Sequence, residues 1–168
     1  MGSGKSSIGK KLSKMMKFNF VDTDSLIEDS TGVDIPTIFE HEGEEGFRER
    51  ERNILQEISE YKETVIGTGG GIIISKKNRT TIKNMGFVVY LTASVRELVY
   101  RTEHDKNRPL INNNDDDNAE NKIKKILKDR KEYYEKTSNM TISTDIYDTV
   151  KISKIIIKNY QEYEKNNS

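Results

Sequence analysis

The sequence contains no cysteine. That absence excludes a disulfide framework and a thiolate metal centre, and it agrees with a reducing compartment. Neither charge is in excess, since 28 Lys and Arg stand against 28 Asp and Glu. No net field therefore draws the protein to nucleic acid or to an anionic membrane, and any ionic binding site has to be local. No apolar run approaches the ~20 residues of a membrane span, and the opening MGSGKSSIGKK lacks the apolar centre of a secretory signal. A cytoplasmic location is the expectation. The 168 residues suffice for one sizeable core but not for two ordinary domains of roughly 100–150 residues each, so a single domain over 1–168 is expected.

What the sequence does have is a regular alternation of helical and extended patterns. Ile8, Leu12 and Met16 recur at helical spacing directly after GSGK, and FNFVD at Phe18–Asp22 reads as a short strand. Asp24–Thr31 reads as a helix stopped by Gly32. Asp34 is placed to cap a helix with Pro36 in its first turn, and beyond Gly43 a longer helix carries Phe47, Ile54, Leu55 and Ile58. Val65 and Ile66 form a strand that runs into Gly69–Gly71. A polar helix around Ile82 precedes Phe87–Leu91, a continuous apolar run expected to be a strand buried on both faces. Ser94 can cap a helix through Arg101. After the polar segment Glu103–Asn118 come a helix with Ile123, Ile126 and Leu127, a strand at Met140–Thr144, and a closing helix with Val150, Ile152, Ile155 and Ile156. This order predicts an α/β fold: a parallel sheet with helices on both faces.

Chemistry enters at Gly2-Ser3-Gly4-Lys5-Ser6, the second half of a phosphate-binding G-x-x-x-x-G-K-[ST] loop. Glycine lets backbone N–H groups close on phosphates, the following helix adds the positive end of its dipole, Lys5 can reach terminal phosphates and Ser6 can ligate Mg²⁺. The alternative is a flexible glycine–serine stretch with no role, which the amphipathic helix following it disfavours. Asp22 and Asp24 close the first strand, and alternation along an extended segment points both to one side, where one can hold a metal-bound water and the other take a proton. Helix capping is the competing role for Asp24. Three consecutive glycines, Gly69–Gly71, exceed the needs of a tight turn and suggest close approach to a ligand. Arg48 and Glu51, three apart on a helix, are neighbours, so Glu51 can orient Arg48 toward a carboxylate; a solvated charged face is the alternative. The 16 residues of Glu103–Asn118 exceed the ~12–15 at which a structureless loop usually has a function or is disordered.

Taken in order and spacing, GSGKS, FVDTD, GEEGFRERE, TGGG and RPL resemble the bacterial shikimate kinases over nearly the whole chain. The resemblance implies a P-loop fold like that of the nucleoside monophosphate kinases, with five parallel strands. It also implies transfer of the γ-phosphoryl group of ATP to the 3-hydroxyl of shikimate in aromatic amino acid biosynthesis, by a monomer acting with Mg²⁺. By the same resemblance Gly2, Ser3, Gly4, Lys5, Ser6 and Ser7 surround the phosphates, Ser6 and Asp22 serve the metal, and Asp24 receives the substrate hydroxyl. Arg48 and Arg130 pair with the shikimate carboxylate, Gly70 and Gly71 line its ring, and the substrate helices span about 24–60. Arg101 stacks on adenine, and Arg108 belongs to a lid over about 103–118 that closes on the transferring phosphate. Lys5, Asp24 and Arg108 are the implied catalytic residues.

Two departures matter. No arginine in Asp145–Thr149 matches a late adenine contact, and Ser7 stands where threonine is usual. Members of the family also carry an apolar strand and an earlier loop glycine ahead of GSGKS. Met1 is therefore expected to be a misassigned or trimmed start; if the chain does begin there, four strands with a gap between neighbours, poor folding and little activity are expected. A gluconate-kinase-like enzyme and a non-catalytic nucleotide-binding module are the rival readings.

Overall fold

Two short parallel strand pairs bring the loop ends of the chain to one edge. The computed structural model describes residues 2–102 and 118–167; Arg108 and the rest of 103–117 lie outside them. Helix α1, Lys5–Met16, starts directly after Gly4. Strand β1, Asn19–Asp22, pairs in parallel with β2, Thr64–Gly67, in a register that sets Asp22 opposite Gly67. Strand β3, Val89–Thr92, pairs in parallel with β4, Met140–Ser143. Helices α2, Thr23–Thr31, and α3, Ile35–Glu57, connect β1 to β2, and α4, Lys76–Met85, leads from β2 to β3. Helices α5, Val95–Thr102, α6, Ala119–Thr137, and α7, Thr149–Asn167, complete the described elements.

Apolar spacing explains the packing. Ile8 and Leu12 of α1 lie four apart and meet Ile152 and Ile156 of α7, also four apart, in a core with Ile142 of β4. Val65 of β2 and Val89 and Leu91 of β3 pack on this same cluster, so both strand pairs share one core. A second cluster joins α2 and α3 through Ile27, Ile38, Phe47, Ile54 and Ile58. Ile27 is completely buried, which is worth about 1.5–3 kcal/mol of transfer free energy. Asp34 caps α3, accepting the Thr37 N–H at 3.0 Å, and the helix breaks at Gly43, where φ is 68°. That positive φ favours glycine over any residue with a Cβ. Beyond the break, where a restart is expected, Phe47 and Ile54 join the cluster on which Ile66 of β2 packs.

The described strands form two separate pairs, β1–β2 and β3–β4. Among the described residues no ladder joins β2 to β3. Two expectations are corrected. The Phe87–Leu91 run is not buried on both faces: all four residues of β3 are half-buried, because one edge of the strand has no partner to exclude water. Asn118, the last residue of the polar segment, is non-helical, and its side chain caps α6 by accepting the Glu120 N–H at 3.2 Å. Val150 lies on the exposed side of α7 at 40% exposure, while Ile152 and Ile156 carry the buried stripe. No helix among the described residues is long and apolar enough to cross a membrane.

Candidate active site

The parallel register of β1 and β2 places Asp22 and Gly67 side by side at the carboxyl ends of their strands, where α/β sheets gather ligands. Gly4, at φ 79°, turns the chain into α1, so Lys5 and Ser6 stand at the helix N-terminus over that edge. The Ser6 hydroxyl donates to Asp22 Oδ2 at 3.1 Å. Lys5 Nζ lies 3.3 Å from Asp22 Oδ2 and 3.7 Å from Asp24 Oδ2. The four residues that the sequence assigns to phosphate, metal and proton transfer are thus one cluster.

The cause of the clustering differs from the expected one. Asp24 is not in the strand, so alternation does not align it with Asp22. Asp22 instead ends β1 and caps α2, accepting the Asp24 N–H at 3.1 Å. That turn swings Asp24 onto the same side and leaves the capping role to Asp22. Asp24 Oδ1 is buried with no hydrogen-bond partner among the described residues. A buried carboxylate oxygen without a donor is costly, and its presence at such a site points to a donor that arrives with a ligand.

Gly69–Gly71 follow β2, and side chains press on Gly69 and Gly71. The Gly69 N–H donates to the Thr23 hydroxyl at 3.0 Å, and Thr23 is fully buried. A Cβ on Gly69 would stand 2.5 Å from Asp24 Oδ1 and 3.1 Å from Glu51 Oε1. A Cβ on Gly71 would collide with the Arg48 guanidinium. Gly69 and Gly71 are therefore required because Asp24, Glu51 and Arg48 pack on bare backbone. On the other side, the Gly70 carbonyl accepts from Arg130 Nη1 at 3.3 Å and from the Tyr134 hydroxyl at 2.6 Å.

Arg48 is held as the i,i+3 spacing predicts. Its Nη1 meets Glu51 Oε2 at 2.5 Å and its Nη2 meets Glu44 Oε1 at 2.7 Å. Glu51 is fully buried and Arg48 nearly so. Burial pushes the Glu51 carboxyl above its ordinary range; the Arg48 charge pulls it back, and the nearby Asp24 charge adds to the rise. For Arg48, burial pulls down but the two carboxylates outweigh it, so the guanidinium is firmly charged.

Arg101 lies apart from this group. Its Nη1 donates to the Gly2 carbonyl at 3.1 Å and to Thr144 Oγ1 at 3.0 Å, and Nε pairs with Glu97 at 2.8 Å, so it ties α5 and the end of β4 to the loop. Gly2 and Ser3 are half-buried and Ser7 is exposed on α1. The residues that sequence reasoning missed are Thr23 and Tyr134. Tyr134 lies four after Arg130, on the same face of α6, which was the available signal. It stacks on Tyr90 with ring centroids 4.6 Å apart.

Two consequences can be measured here. Gly71→Ala forces the Arg48 guanidinium aside and off buried Glu51, and we expect about a tenfold or greater rise in the KM of a carboxylate substrate together with an unfolding midpoint below wild type. Tyr134→Phe removes one hydrogen bond to Gly70, a net effect of about 0.5–1.5 kcal/mol. The expected result is a KM raised roughly 2- to 10-fold at unchanged ATP affinity; equal changes in both substrates would show a general loosening instead.

With this geometry in place, comparison with known proteins is direct. The family model for shikimate kinase matches residues 1–161. Shikimate kinase from Vibrio cholerae is 37% identical over 97% of this chain and 92% of its own length. The Haemophilus influenzae enzyme is 41% identical over 86% and 79%. Among solved structures, shikimate kinase from Acinetobacter baumannii in complex with shikimate superposes with a TM-score of 0.91 at 39% identity, covering 96% of this chain and 89% of that one. The Bacteroides thetaiotaomicron enzyme gives a TM-score of 0.85 at 30% identity, covering 96% and 94%. Lys5, Asp22, Asp24, Arg48 and the glycine run therefore sit in a P-loop kinase fold, and the chain belongs to the shikimate kinase family.

Proposed function

We infer that the chain transfers the γ-phosphoryl group of ATP to the 3-hydroxyl of shikimate, and that its 168 residues act as one kinase domain, monomeric and cytoplasmic. The observation that carries this reading is the pairing of an acceptor and a clamp around one glycine run. Asp24, with an unpartnered buried oxygen, faces Gly69; Arg48 faces Gly71 and Arg130 reaches Gly70. A hydroxyl-bearing carboxylic acid spans that distance with its two ends chemically distinguished. Arginine suits the acid end because its planar fork binds a carboxylate through two parallel hydrogen bonds.

In the proposed mechanism the substrate carboxylate lies between Arg48 and Arg130, with Gly70 and Gly71 against the ring. Asp24 accepts the hydroxyl proton as that oxygen attacks the γ-phosphorus. The bond from phosphorus to the β-bridging oxygen breaks and ADP leaves. Lys5 moves with the charge, from the aspartates to the phosphate oxygens, while the Gly2–Ser7 segment supplies backbone and hydroxyl donors. Ser6 and Asp22 are hard oxygen donors already in contact. This fits Mg²⁺, which binds through one or two protein oxygens plus phosphates and water. When bound, the ion neutralises charge on the phosphates. Arg101 at the loop is assigned to adenine. Arg108 and the lid of about 103–118 are assigned to closure over the phosphates, which excludes water from the transfer.

A coupled ADP-release assay tests the reading. ADP release that depends on shikimate, with little in its absence, is expected. Release with gluconate and none with shikimate would favour the rival kinase, and ATP binding without turnover on either would favour a binding module.

A further inference from the structure

We infer that the cleft between α4 and the last turns of α6 is a second anion site, built for the phosphate group of a small soluble metabolite. The cleft has a volume of about 320 Å³ and includes Lys76, Arg79 and Lys83 of α4 with Tyr133, Lys136 and Thr137 of α6. That size suits a small molecule, at the low end of the roughly 300–1,000 Å³ of such sites. In a chain with zero formal net charge, this wall is strongly cationic. Helix α4, KKNRTTIKNM, contains no acidic residue. The one acid lining the cleft, Glu132, is already paired with Lys136 at 2.5 Å.

Three further observations point to a ligand. Arg79 is fixed before anything binds: its Nη1 donates to the Ile73 and Ile74 carbonyls at 2.7 and 2.8 Å, and its guanidinium lies 4.3 Å from the Tyr133 ring centroid. Its Nε and Nη2 have no protein acceptor among the described residues, so a donor edge is held ready at little entropic cost. Thr137 lines the cleft at 4% exposure, and its hydroxyl has no hydrogen-bond partner among the described residues. A buried hydroxyl in that condition lacks the partner that such groups nearly always have. Finally, α4 begins with Lys76 and Lys77 and has no acid in its first turn. Cations at the positive end of a helix dipole are unfavourable, and an anion beside them reverses the sign.

The position gives the site leverage. Arg79 grips the Ile72–Ile74 turn, which follows Gly71 directly, and the adjoining side of α6 carries Arg130 and Tyr134 on the Gly70 carbonyl. A phosphate that ties α4 to α6 therefore stiffens both supports of the glycine run. The expected lowering of shikimate KM rests on the function proposed above; the binding itself does not.

The test is an amide-resolved NMR titration of the full chain saturated with MgADP, so that the nucleotide loop is occupied, using inorganic phosphate and glycerol 3-phosphate in separate arms at constant ionic strength. Saturable shifts in residues 76–83 and 133–137 are expected in at least the monoester arm; binding of both identifies phosphate itself, and binding of the ester alone a metabolite. The Lys76→Gln/Lys83→Gln variant should raise the dissociation constant about tenfold or more and keep its basal kinase activity. Thr137→Val should also lose binding, yet melt higher than wild type without phosphate, because a methyl replaces an unpaired buried hydroxyl. Shifts confined to residues 2–6, or shifts identical to those from chloride, would overturn the site, as would unaltered binding in the double lysine variant.

Discussion

Arg48→Ala lowers stability by about 3–5 kcal/mol, the cost of leaving a buried charge without its partner, and raises the shikimate KM by about 10- to 100-fold through loss of a charge-assisted clamp. Both effects come from one geometry. Glu51 is fully buried and Arg48 is its close partner at 2.5 Å, whereas the equally short Lys136–Glu132 pair is mostly in solvent and contributes little because water screens it. The pH dependence follows from the raised Glu51 carboxyl. A group whose folded pKa lies above its unfolded value supplies stability that is complete below the unfolded value, near 4.5, and is lost as pH rises through the folded one. Removing Arg48 raises the folded value further, so the variant should lose more stability at pH 8 than at pH 5, relative to wild type. Adding Glu51→Gln removes the charge, and the double variant should recover most of the stability while its shikimate KM stays high. Urea midpoints at the two pH values, with steady-state kinetics, separate these effects. A deficit independent of pH, unrelieved by Glu51→Gln, would show that the pair is not what holds α3 in place.

Asp24→Asn is expected to lower kcat by about 10²–10⁴, the range for losing a general base, with the KM for shikimate within a few-fold of wild type. The amide keeps an acceptor oxygen and nearly the same volume, so the substrate hydroxyl still has a place to bind. What it loses is the capacity to take the proton. Folding should be unharmed or improved, because one negative charge leaves a cluster that also contains Asp22 and Glu51. Unfolding midpoints and single-turnover rates measured together decide the point. A fall in kcat of only a few-fold would assign Asp24 to positioning, since phosphoryl transfer with a loose transition state needs little proton removal before the bond to phosphorus forms.

Much of this site was legible in the residues, though not always for the right reason. Lys5 and Ser6 follow from a motif whose spacing is dictated by backbone donors closing on phosphate, and the structure brings both to Asp22. Asp24 was correctly placed beside Asp22, yet by alternation along a strand that ends before it; the N-terminal turn of α2 does the placing. The Arg48–Glu51 pair was readable because helical spacing is local. The contacts of Gly69–Gly71 were not, because Asp24, Glu51, Arg48 and Tyr134 reach them from up to 64 residues away in sequence, and no local pattern encodes that. The Phe87–Leu91 run misled for a related reason. Apolar content reports what a strand can bury, while actual burial depends on neighbours, and among the described residues β3 has a partner on one edge only. The basic cleft escaped notice because α4 and α6 are far apart in sequence and each looks like an ordinary solvated face.

The claim on which the account turns is that Arg48 and Arg130 read a carboxylate while Asp24 and Lys5 act on a hydroxyl across the same glycine run. Phosphorylation of shikimate should therefore be compared with phosphorylation of its methyl ester, which keeps every hydroxyl and removes only the charge. The account predicts a kcat/KM for the ester lower by about 10²-fold or more, as expected for losing charge-assisted hydrogen bonds, and a much smaller difference in Arg48→Ala. Equal use of acid and ester by the unmodified chain would contradict it.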